Sequence, residues 1–208
     1  FYLGNFFQAG QADLQSFFLF HPWMYLLLVP ALAMRSWAEE RKSGSIELLL
    51  TLPVTVWQAV LGKYLAAWTL IALALLLTFP MWLTVAWLGE PDHGVILASY
   101  IGSWLLAGSF LAIGSAVSAA TRSQVMAFII SLSLCLIFLL AGYSIVLSAI
   151  QTVFNQSIVD MIAGISFFTH FSSITRGLLD LRDVAFFLIN TASWLIATVL
   201  IIHLKKAG

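Results

Sequence analysis

The sequence predicts an all-α polytopic membrane helix bundle with five visible spans, and three observations carry that prediction. Hydrophobic residues make up 62% of the chain and charged residues only 9%, against about 45–50% and about 25% in soluble domains. No water-facing surface can be assembled from so few charges, and the mean hydropathy is +1.01. Several apolar stretches reach the roughly 20 residues that a helix rising about 1.5 Å per residue needs to cross a hydrocarbon core about 30 Å thick.

The first span is placed at 17–38, entering at His21 and Pro22 and leaving through Arg35, Trp37 and Glu39, with Pro30 expected to kink it. Residues 39–63 form a polar connector whose apolar run, Leu48 to Leu52, is too short to cross. Thr55-Val56-Trp57-Gln58 has capping-box spacing and marks a helix start. Apolar character then continues to Leu88, which at the standard rise makes a helix of about 50 Å, longer than the core is thick. The turns up to Lys63 are therefore assigned to the interface and the second span to 64–88, with Pro80 inside it. Gly89-Glu90-Pro91-Asp92-His93-Gly94 is a tight polar turn. The third span, 95–120, carries Gly102, Ser103, Gly108, Ser109, Gly114 and Ser115; small residues let helix backbones approach closely in lipid, so this helix belongs inside the bundle. A turn at Thr121 to Gln124 leads into a fourth span, 125–148. The segment 150–183 is apolar but interrupted by polar residues, which predicts two short amphipathic or re-entrant helices. Asp183 is expected to cap the last span, 184–204, which ends in Lys205 and Lys206.

If these spans alternate, one side of the membrane collects Arg35, Arg41, Lys42, Lys63, Arg122, Lys205 and Lys206, seven of the nine basic residues. The positive-inside rule then puts the 39–63 connector and the C-terminus in the cytoplasm, and residues 150–183, with Arg176, Asp180, Asp183 and Arg182, outside. A sixth crossing through 150–183 would reverse Lys205 and Lys206 and bury charges that cost about 2.5–3.5 kcal/mol each at a helix centre. Arg176 and Asp180 are expected to pair on an outward amphipathic helix. The chain opens on Phe1, and a start outside calls for one further upstream span, making six in all.

The net charge is zero, which offers no basic face for nucleic acid. Cys135 has no partner for an intramolecular disulfide and suits the apolar interior. His21, His93, His170 and His203 are scattered without metal-ligand spacing and are assigned to the interface, so no metal site is predicted. Trp23, Trp37, Trp82, Trp87 and Trp104 fall near span ends and are assigned to the aromatic belt. Asn190 is assigned a helix-to-helix hydrogen bond. There is no nucleotide-binding G-x-x-x-x-G-K-[ST] loop, no G-x-S-x-G elbow and no pair of buried carboxylates, so neither a catalytic site nor a bound cofactor is expected.

The connector Glu40-Arg-Lys-Ser-Gly44-Ser-Ile-Glu47-Leu-Leu-Leu-Thr-Leu-Pro53, followed by Trp57 and Gly62-Lys63, resembles the cytoplasmic segment between the second and third spans of ABC-2 type transporter permeases. The stretch from Phe168 through Arg176, Asp180 and Asp183 is similar to the outward segment of the gliding-motility type. The resemblance implies the membrane subunit of an ABC exporter in a bacterial inner membrane, with a second permease subunit, the same or a different chain, and separate cytoplasmic ABC ATPase subunits that carry out ATP hydrolysis. It further implies that a short helix at 44–52, including Gly44, Glu47, Leu48 and Leu49 and stopped by Pro53, docks into the ATPase. Gly44 can act there as N-cap with Glu47 at N3, where a carboxylate suits the positive helix end. A polytopic anchor or assembly protein that docks a cytoplasmic partner without moving substrate is the alternative.

Overall fold

In the computed structural model, residues 14–45, 53–152 and 155–206 are described. Among them are ten helices: α1 (Gln15–Ala33), α2 (Arg35–Ser43), α3 (Val56–Leu76), α4 (Phe79–Leu88), α5 (His93–Ala120), α6 (Gln124–Leu140), α7 (Ser144–Gln151), α8 (Gln156–Ile165), α9 (Phe167–Ile174) and α10 (Leu181–Lys206). Four helical runs are long and apolar enough to cross a membrane, namely Gln15–Ser43, Val56–Leu88, His93–Ala120 and Leu181–Leu204; α6 with α7 and α8 with α9 form two sharply bent pairs. This is the all-α polytopic bundle that composition and span length predict.

The bundle is organised around α5. It packs against α10 and α1 most extensively, and also against α6, α3, α2 and α9. Its small residues are the reason. A Cβ added at Gly102 would lie 2.8 Å from Ile174 Cγ2 of α9, one at Gly108 would lie 2.7 Å from Trp68 Nε1 of α3, and one at Gly114 would collide with Ala33 Cβ of α1. Glycines six residues apart thus admit three different neighbours, the close approach that lipid-embedded helices use in place of a hydrophobic drive.

Breaks fall where backbone hydrogen bonding is interrupted. Pro22 and Pro30 lie within α1, which runs through both, and the joint to α2 falls one turn beyond Pro30, at Met34. The helix expected to run unbroken from Thr55 to Leu88 stops at Leu76 and restarts at Phe79, with Pro80 in the first turn of α4. Pro80 has no N–H for the Leu76 carbonyl and its ring crowds that oxygen, which weakens the turn at which α3 ends, whereas α1 absorbs the same defect at Pro22 and Pro30. Beside the break, Thr78 Oγ1 donates to Leu75 O at 2.6 Å. The capping box at the start of α3 forms as its spacing predicts: Gln58 N–H donates to Thr55 Oγ1 at 3.3 Å, and Thr55 N–H to Gln58 Oε1 at 3.0 Å.

The stretch 125–148, expected as one straight span, is broken instead: α6 ends at Leu140 and α7 leaves at 71°. Gly142 stands at the break, where a Cβ would collide with Ser166 Oγ and Thr169 Oγ1 of the returning segment. The two short helices expected in 150–183 are α8 and α9, bent by 68° with respect to each other. Ser166 caps α9 by accepting from Phe168 N–H at 3.2 Å.

Two assignments to the interface are corrected. Trp37 is 1% exposed and locked by hydrogen bonds, and Trp104 sits mid-way along α5, stacked on Trp68 at 3.9 Å with the rings nearly parallel. Trp23 and Trp87 are exposed. Cys135 is fully buried.

Candidate functional site

Polar chemistry gathers at the two ends of the bundle. At one end, where the 44–55 connector leaves and returns, α2 is pinned to the C-terminal turns of α5. Trp37 N–H donates to Ser118 Oγ at 3.1 Å, Ala38 N–H donates to the same oxygen at 3.0 Å, and the Ser118 hydroxyl donates to Met34 O at 2.9 Å. Ser115 Oγ accepts from Trp37 Nε1 at 3.1 Å. Ser115 and Ser118 are one turn apart and therefore face the same neighbour. Trp37 is the third residue of α2, a position whose N–H has no acceptor within its own helix; Ser118 supplies one across the helix pair. Arg41 donates to Ala119 O at 2.6 Å, a cation on the negative end of α5. Burial, and then the facing Arg122 charge, pull the Arg41 guanidinium below its ordinary value.

The returning strand of the connector is fastened to the same joint. Lys63 Nζ, two turns into α3, donates to Ser36 O at 2.7 Å, pairs with Glu40 Oε1 and lies 4.1 Å from the centroid of the Trp37 ring. Both side chains are about a quarter exposed (28% and 27%), where an ion pair contributes about 0–1 kcal/mol, so what this contact supplies is chiefly geometry. Glu40 Oε2 is buried without a hydrogen-bond partner among the described residues.

At the opposite end, His170 of α9 ties the bent hairpin to α10. Its Nδ1 lies 2.6 Å from Asp183 Oδ1 and its Nε2 lies 3.0 Å from Gly164 O. Both ring nitrogens thus lie against oxygens, one of a side chain and one of the backbone. The ring stacks on Phe186 with centroids 4.0 Å apart.

Several sequence assignments change here. Asp180, not Asp183, caps α10: its Oδ1 accepts from Arg182 N–H at 3.1 Å, while Asp183 is buried at 6% exposure against His170. Arg176 and Asp180 do not form a pair on a helix. The helix α9 ends at Ile174, Gly177 takes a left-handed φ of 85° between them, and no ion pair joins the two. His21 and His170 are buried rather than interfacial; His93 is exposed, where its Nδ1 accepts from Trp82 Nε1 at 3.0 Å, and His203 is exposed. Asn190 makes no hydrogen bond among the described residues; its neighbour Thr191 meets Ser109 of α5 at 3.2 Å.

Of the connector residues, Gly44 adopts a left-handed φ of 74° that closes α2, a C-terminal role on the preceding helix. Pro53 is exposed just ahead of the α3 cap. Glu47, Leu48 and Leu49 lie outside the described residues. Sequence reasoning missed the Ser115–Ser118 acceptor pair and the His170–Asp183 link. The first was visible as two serines one turn apart in a Gly/Ser-rich helix. The second joins positions in different elements and left no local signal.

No curated protein matches the chain. The family model described as ABC-2 family transporter protein matches residues 5–204, nearly the whole sequence and every helix above. With the two connector flanks fastened to one joint and a bent hairpin before the last helix, the chain belongs to the ABC-2 transporter family as a permease subunit of an ABC transporter.

Proposed function

We propose that this permease subunit exports its substrate under the drive of a separate cytoplasmic ABC ATPase that docks on residues 44–52, with Gly44, Glu47, Leu48, Leu49 and Pro53 as the contact. In this reading the connector end and the C-terminus face the cytoplasm, residues 150–183 face outward, and a second permease subunit completes the substrate path in a bacterial inner membrane. The crossings are 17–38, 64–88, 95–120, 125–148 with its bend, and 184–204. The orientation rests on the seven basic residues that share the connector side.

The observation that carries the coupling reading is that both flanks of the docking segment converge on one joint. The outgoing flank, α2, is held by Ser115, Ser118 and Ala119 of α5, and the incoming flank, α3, is held to α2 through Lys63. A push delivered between Gly44 and Thr55 therefore reaches α1, α3 and α5 together instead of being absorbed by a slack loop.

The test is Glu47→Lys in the reconstituted complex, read by co-purification of the ATPase and by ATP hydrolysis. Contact with a protein predicts weaker association, because reversing an interfacial charge can cost several kcal/mol. A segment that merely lies on anionic lipid predicts no loss, since an added lysine favours such headgroups. Unchanged assembly and unchanged hydrolysis refute the coupling assignment.

A further inference from the structure

A slot between α1 and α3 has no role in the coupling scheme. The two helices each pack on α5 rather than extensively on one another, and the gap between them is a cavity of about 310 Å³ running from His21 to Leu32 along α1 and from Leu70 on α3 to Thr78 just past its end. Eleven residues of helix make the slot roughly 16 Å long. Its walls are apolar except at the His21 end, where Tyr25 and Thr78 also contribute, and no charged residue lines it.

His21 is 4% exposed and Tyr25 9%. Nδ1 of His21 is 2.8 Å from Ser103 Oγ, and that histidine is the only hydrogen-bond partner of the fully buried Ser103 hydroxyl among the described residues. In the tautomer that lets this buried hydroxyl donate to Nδ1, the ring proton is on Nε2. Nε2–H has no partner among the described residues, and neither does the Tyr25 hydroxyl. Neither atom is sealed from the surface of the chain, so both can donate to an oxygen of an occupant at the polar end of the slot.

We propose that this slot binds a lipid of the surrounding bilayer, namely an uncharged monoacyl ester of the monoacylglycerol class, with its acyl chain between α1 and α3 and its ester or hydroxyl oxygens on His21 Nε2–H and Tyr25. A single chain suits the volume, and pockets of about 300 Å³ lined by apolar side chains with a few convergent polar groups are of ligand-binding size. A phosphate or carboxylate head is disfavoured, because no cation lines the slot to offset the burial of its charge.

The experiment uses the full-length permease with its ATPase in nanodiscs, and a monoacylglycerol probe bearing a diazirine at the end of its acyl chain. Saturable cross-linking to the α1 and α3 peptides is expected, competed by unlabelled monoacylglycerol and at least tenfold less effectively by a lysophospholipid. His21→Phe is expected to raise the half-saturating concentration about threefold to tenfold, the loss of one hydrogen bond. Ala74→Trp, which fills the slot from its rim, is expected to abolish the saturable signal in protein that still assembles with the ATPase. Uniform, non-saturable labelling of lipid-facing helices, equal competition by the lysophospholipid, or labelling that survives Ala74→Trp overturns the proposal. So does absence of α1 and α3 labelling in the full-length chain, which would mean that a protein segment closes the slot.

Discussion

Replacing Ser118 by alanine removes one oxygen that serves three groups. The Trp37 N–H then has no acceptor in its own helix and none across the pair, at a position where Trp37 and Ser118 are 1% and 0% exposed. Ala38 N–H loses the same acceptor. The dominant cost is that of the orphaned Trp37 donor, about 1–3 kcal/mol, to which the lost contacts of Ala38 N–H and Met34 O add. Ser115→Ala removes the acceptor of Trp37 Nε1 at the same joint and should behave as a coupled partner, with an interaction energy above about 0.5 kcal/mol in a double-mutant cycle. The assay is unfolding of the purified permease in nanodiscs, paired with ATP hydrolysis by the assembled complex. Ser118→Ala is expected to lower stability by about 1–3 kcal/mol and to lower coupled hydrolysis, while Ser118→Thr, which keeps the oxygen, retains most of both. A Ser118→Ala protein within about 0.5 kcal/mol of wild type, the range of an ordinary surface change, would refute the argument that this oxygen joins α2 to α5.

Three further outcomes follow from the geometry. Asp183→Ala leaves the His170 ring buried without its carboxylate and is expected to cost about 3–5 kcal/mol, whereas the double change His170→Phe with Asp183→Leu should cost less than the single one; thermal unfolding of both variants decides it, and equal losses would contradict the pairing. Exchanging Arg176→Asp with Asp180→Arg removes the α10 cap and is expected to destabilise by about 0.5–2 kcal/mol, with Asp180→Asn nearly neutral; a fully stable exchange variant would restore the direct pair that the sequence suggests. Gly114→Ala collides with Ala33 and is expected to cost about 1–3 kcal/mol, relieved by Ala33→Gly, while Gly62→Ala, with open space around it, is expected to gain up to about 1 kcal/mol.

What the sequence revealed and what it hid divide along the range of the interaction. The Thr55–Gln58 cap, the small-residue face of α5 and the broken character of 150–183 are written in neighbouring residues, and all three appear as read. The rest depends on who meets whom. Asp183 looked like a helix cap because it opens an apolar run, but Asp180 is better placed as N-cap of a helix that starts at Leu181, which frees Asp183 to turn inward toward α9. Trp37 looked interfacial because it falls near a span end; it is drawn inside because two serines some eighty positions later provide acceptors for both its nitrogens. Pro80 announced a defect but not its place, since a proline interrupts the turn before itself. Of the candidate docking segment, Glu47, Leu48 and Leu49 rest on the resemblance, and the structure contributes the fastening of its flanks.

That fastening extends beyond the connector because α5 meets a different partner at each level. Ser118 and Ser115 hold α2, Ser109 meets Thr191 and the Phe187 carbonyl of α10, Ser103 meets His21 of α1, and near its start Val95 abuts Gly177, just past the hairpin. Hydrogen bonds between membrane helices average only about 0.6 kcal/mol, so no single contact makes the bundle rigid. Their arrangement matters more: α5 cannot slide along α2 without also straining its contacts with α1 and α10, since those contacts lie on the same unbroken helix. Under the proposed coupling, a displacement of the connector flanks would pass along α5 toward Val95 and Ile174, where the hairpin rests, and on to Asp183 through His170. The bend after Leu140 and the break after Leu76 lie outside α5, which runs from His93 to Ala120 without interruption and so can carry such a displacement where the broken helices cannot.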